Sequence, residues 1–67
     1  MTALEARSRL TELETERSLA RSTPLAHVHA YMADLEHEIV TMREFYTGAA
    51  VMEIANLRAE LFGRQYG

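Results

Sequence analysis

The sequence predicts an all-α fold, a helical hairpin with a short first helix and a long second one, on three observations. Thr2 and Glu5 open the chain in capping-box spacing, Arg21-Ser22-Thr23-Pro24 interrupts it once, and an apolar heptad seam follows from Leu25 to Tyr46. The 67 residues are read as a single helical domain, because a chain this short has no room for a second core.

The first helix is expected over about residues 2–20. A Thr2 hydroxyl and a Glu5 carboxylate can each satisfy one of the exposed backbone donors of the first turn. Ala3, Ala6, Leu10, Leu13 and Ala20 then recur at steps of three and four, with Arg17 interrupting the stripe and Leu4 and Leu19 beside it. The seam is narrow and rich in alanine. Glu5 with Arg9, and Glu14 with Arg17, have the spacing of ion pairs along one helix, each worth ~0.2–0.5 kcal/mol.

A turn is expected over residues 21–24, since the residue before proline is driven out of the helical region. Thr23 suits an N-cap and Pro24 the first helical position, where its missing N–H would have no partner anyway. A link this short favours antiparallel neighbours.

From about residue 24 to 46 the apolar steps alternate three and four through Leu25, Val28, Met32, Leu35, Ile39, Met42 and Tyr46. With Leu25 at a, Tyr31 and Phe45 fall at g and widen the stripe beyond a two-stranded seam. Gly48 either breaks the second helix or lies within it at a cost of about 1 kcal/mol relative to alanine. Ala50, Ile54, Leu57 and Leu61 continue the pattern from Tyr46 with steps of four, four, three and four, the mark of a stutter, which favours one long helix bent near Gly48 over a helix re-starting across 49–62. Gly63 and the tail 64–67 are read as the helix exit, with Phe62 and Tyr66 able to pair across one more turn.

A core of this size barely offsets the ordering of its own chain. Cysteine is absent, so neither a disulfide framework nor a thiolate metal site can reinforce it. Self-association remains, most simply a homodimer forming a four-helix bundle. The residues expected at an oligomer or partner interface are Leu25, Val28, Tyr31, Met32, Leu35, Ile39, Met42, Phe45, Tyr46, Ile54, Leu57 and Leu61. Met52, Val51 and Val40 lie off the main seam and form a candidate second sticky surface.

Chemistry-bearing residues are sparse. His27 and His29 are two apart, which on a helix sets them about 200° from each other, so they cannot share an ion. Asp34 and His37 fall at c and f, away from the seam, where a solvated polar face is the plainer reading and a metal site across an oligomer the alternative. Glu36, Glu38 and Glu44 flank His37, yet no nucleophile is tied to a histidine and no glycine-rich phosphate loop occurs, so no enzyme activity is expected. Glu38 at g is expected to select a partner or register by pairing with an arginine, with Arg43 at e the candidate.

The net charge of -3 gives no electrostatic footprint for nucleic acid or an anionic membrane. All seven basic residues are arginine. Arg7, Arg9, Arg17 and Arg21 make the first helix locally basic, but Glu5, Glu12, Glu14 and Glu16 share it and no aromatic is interleaved to stack on bases. After Met1 the chain is polar, with no apolar stretch like that of a secretory signal and none approaching the ~20 residues of a membrane span. A cytoplasmic location without a membrane is therefore expected.

Taken together, the residues predict a non-catalytic helical module for protein–protein interaction, an adaptor, assembly or regulatory subunit that works as a homo-oligomer with a further protein partner and without a cofactor. A small nucleic-acid-associated regulator using the arginines of the first helix is the alternative, and a metal-binding helical bundle the second alternative.

Overall fold

The computed structural model describes residues 1–62; the expected exit at Gly63, the tail 64–67 and the Phe62–Tyr66 pair lie outside the described residues. Two helices run antiparallel, as the sequence predicts: α1 spans Ala3–Arg21 and α2 spans His29–Phe62, with a single 3₁₀ turn, Pro24–His27, between them. The hairpin is slender, 61 Å long and 16 by 13 Å across its Cα atoms.

The capping box forms at the start of α1. The Glu5 N–H donates to Thr2 Oγ1 at 3.2 Å, and the Thr2 N–H donates to Glu5 Oε1 at 3.0 Å. The alanine-rich stripe then faces α2, burying Ala3, Ala6, Leu13 and Ala20, while Leu10 and Arg17 are half-buried between them. Small side chains on this face let the two helix axes approach closely.

The turn differs from the expected start of the second helix at residue 24. Thr23 does cap, with Oγ1 accepting from the Leu25 N–H at 3.2 Å and donating to the Ala20 carbonyl at 2.8 Å. Pro24 opens only one 3₁₀ turn, closed by the Val28 N–H on the Leu25 carbonyl at 3.0 Å, and Val28 is extended at φ -90°, ψ 94°. The reason is spatial. Reversal requires the chain to cross the 8–10 Å between two packed helix axes, and a four-residue 3₁₀ turn rising ~2 Å per residue covers that distance. The α-helix starts afresh at His29, its first turn anchored by the Met32 N–H on the Val28 carbonyl at 3.0 Å.

Helix α2 then continues for 34 residues through Gly48. No glycine among the described residues has a positive φ, and a Cβ at Gly48 would meet nothing within 4 Å. Neither backbone geometry nor crowding requires glycine there.

The core is thin. Leu13, Leu35 and Ile39 form its centre, with Leu10, Tyr31 and Met42 packed around them. Of the six residues buried among those described, three are alanine, so the large-side-chain burial rests on very few positions. Replacing Ile39 by Ala is expected to lower stability by ~2–5 kcal/mol, enough to abolish the cooperative transition of so small a domain in a denaturant melt. Gly48→Ala is expected to raise it by about 0.5–1 kcal/mol in the same measurement.

Candidate interaction surface

Polar pairs fix how the two helices are aligned. Arg9 bonds Glu12 and Glu38 at 3.3 Å each, Arg17 bonds both carboxylate oxygens of Glu36 at 3.1 Å, and the Tyr31 hydroxyl donates to Glu16 at 2.6 Å. The expected pairs along α1, Glu5–Arg9 and Glu14–Arg17, are replaced by these, and Glu38 is held by Arg9 rather than Arg43. Packing explains the exchange: once α2 lies beside α1, carboxylates on the neighbouring helix come within reach of both guanidinium groups. Such pairs contribute little energy at the surface, but they disfavour other registers. Arg17 Nε, buried without an acceptor among the described residues, limits what that pair adds. The Glu16 carboxylate accepting the phenolic proton raises the Tyr31 pKa above its ordinary 10.0.

At the far end, the Ala3 N–H donates to Glu53 Oε1 at 3.1 Å. This contact marks where α1 stops covering α2. The last nine residues of α2, Ile54–Phe62, extend beyond it for about 13 Å, and every one of them is exposed.

The anticipated interface residues divide accordingly. Leu35 and Ile39 are buried against α1, Tyr31 and Met42 pack onto them, and Met32 and Tyr46 are half-buried, so the centre of the seam is used within the chain. Leu25 and Val28 precede α2 and are 43% and 46% exposed, which removes them from the continuous helical seam. Phe45 is exposed on the flank. Ile54, Leu57 and Leu61 are 52%, 54% and 59% exposed, although they carry the same spacing pattern.

Two causes leave these three uncovered. Helix α1 is too short to reach them, and the stutter turns the stripe aside. Each step of four residues advances the apolar position by about 40° around the helix, so the successive steps Tyr46–Ala50–Ile54 rotate the seam away from α1. An open apolar groove results, with Leu4 and Arg7 on its α1 side and Ala50, Ile54 and Leu57 on its α2 side. Sequence reading missed Leu4 and Arg7 as members of this surface. Counting residues back from the Pro24 turn brings α1's first turns opposite Ala50 and would have exposed the signal.

Other sequence candidates disperse. His27 lies in the 3₁₀ turn, His29 opens α2, and His37 is exposed near Arg9, Glu38 and Thr41. No cluster of three or more potential metal-ligating side chains occurs among the described residues. Of the arginines on α1, Arg9, Arg17 and Arg21 all face carboxylates, which removes them from any free basic stripe. No helix among the described residues is long and apolar enough to cross a membrane.

Comparison with protein-family models, curated proteins and solved structures finds no match for this chain.

The N-terminal end of α1, which borders the groove, carries a titratable clasp. Hydrogen bonds from Thr2, first its backbone N–H and then its hydroxyl, hold the Glu5 carboxyl below its ordinary 4.5. The depressed pKa means that this stabilisation is present above the ordinary glutamate range and is lost as pH falls through the depressed value. In a pH series of helicity by circular dichroism, wild type is expected to exceed Glu5→Gln near neutrality, the two converging as the solution is acidified below that range.

Proposed function

We propose that this protein is a non-catalytic helical interaction module that works through self-association, as an assembly, adaptor or regulatory element. One observation carries the reading: the end of α2 presents Val51, Met52, Ile54, Leu57, Leu61 and Phe62 to solvent, all at least half exposed, within twelve residues. Isolated surface leucines are ordinary, but a run of this density on one overhanging helix is a surface built to be covered. Burying a large aliphatic side chain fully is worth ~1.5–3 kcal/mol, so covering even half of this run adds substantially to a core of six residues.

The thin core and the open end support each other. Each hairpin alone has few large buried residues, and contact with another helical surface supplies the burial it lacks. Electrostatics adds no competing reading, since three of the four arginines on α1 face carboxylates of their own chain.

Light scattering on a size-exclusion column, with circular dichroism on the same samples, tests the reading. Leu57→Asp is expected to keep the helicity of the hairpin and lose assembly, because Leu57 lies outside the intrachain core. Ile39→Asp is expected to lose both. A wild-type chain that is a folded monomer at 100 micromolar and above, a concentration on the order of weak self-association, would overturn the proposal.

A further inference from the structure

We infer that the element covering the α2 overhang is the same overhang of a second copy, packed antiparallel about a two-fold axis between Ala55 and Asn56. The inference rests on the self-association reading above and specifies its geometry.

The apolar pattern of the overhang defines the packing. Ala50, Ile54, Leu57 and Leu61 are spaced four, three and four, which assigns Ala50 and Leu57 to d and Ile54 and Leu61 to a. An axis between residues 55 and 56 sets Ile54 level with Leu57 of the second copy and Ala50 level with Leu61 of the second copy. Every layer then joins an a side chain to a d side chain. The arrangement is isologous, so the same contacts occur twice and the assembly closes at two chains.

Length and continuity fit this occupant. The groove flanks the end of the α1–α2 seam, where Ala3 meets Glu53 and the stutter turns the apolar stripe away from α1. In the antiparallel overlap, the end of the second copy's α2 lies beside the first turns of α1, because the axis sets residues 58–62 of the second copy level with residues 53–49, the stretch that residues 3–7 already face. Leu61 of the second copy reaches Leu4 and Ala50, and both overhangs are covered together.

Charge complementarity adds an independent argument. Arg7 lines the groove one helical turn inside Ala3, and neither Arg7 nor Glu60 has an ion-pair partner within its own chain among the described residues. The same axis sets Glu60 of the second copy level with Val51, beside Arg7 and the positive end of α1. A parallel pairing lacks this fit. An in-register parallel pair would instead set Glu60 level with Glu60 of the second copy, at the far end of the overhang from Arg7.

The contact is short compared with the 20–30 residues a side of a standard interface, so the dimer is expected to dissociate in the range of tens of micromolar, by order of magnitude. Cysteine scanning of the full chain is clean because it has no native thiol. An equimolar mixture of Ile54→Cys and Leu57→Cys chains, mildly oxidised at about 100 micromolar, well above that range, is expected to give the mixed disulfide several-fold faster than either variant gives its own. Arg7→Glu is expected to weaken the dimer about tenfold in sedimentation equilibrium, with Arg7→Glu/Glu60→Arg restoring it. Faster self-disulfides from each single variant, or a dimer indifferent to both charge changes, would overturn the antiparallel geometry while leaving self-association standing. A wild-type chain that stays monomeric would instead remove the reading on which the geometry rests.

Discussion

The structure depends on one mismatch: α1 has 19 residues and α2 has 34, so one apolar stripe is longer than the helix that covers it. Over the shared length, the stripe finds alanines and Leu13 on α1 and becomes a core. Past Glu53 the same kind of residues, at similar spacing, face water. The hydrophobic effect is indifferent to which chain supplies the cover. A helix that is core at one end and open at the other therefore carries both a folding signal and the uncovered apolar surface on which the proposed self-association rests.

The polar residues determine where that mismatch falls. Arg9–Glu38, Arg17–Glu36 and Tyr31–Glu16 connect α1 to the first half of α2, and the Glu53 carboxylate receives the N–H of Ala3 near its end. Individually such contacts are weak in water. Their collective effect is on alignment, since sliding α1 by one turn would separate all of them and uncover Leu35 or Ile39. The short 3₁₀ turn reinforces the alignment by allowing little slack between the helices.

The hairpin was legible because its signals are local. The Thr2–Glu5 box, the proline break and the three-four spacing each act within a few residues, and the stutter after Tyr46 pointed to a helix continuing through Gly48. Three features were hidden because they depend on the neighbour. The partners of Arg9, Arg17 and Glu38 cannot be read along one helix. Leu25 and Val28 fit the heptad count but fall in the reversal, where crossing between helix axes overrides apolar periodicity. The seam itself divides into an intrachain part and an open part only once the length of α1 is known, which is why Leu35 and Leu57 look equivalent in sequence and differ so much in exposure.

Hydrogen exchange measured at two protein concentrations tests the central claim most directly, because it locates association along the backbone. The account predicts that protection of the amides from Ile54 to Phe62, and of the first turn of α1, rises with concentration while the amides around Leu35 and Ile39 are unchanged. Protection of the overhang that is identical in dilute and concentrated samples, or a concentration dependence centred on residues 31–46, would contradict it.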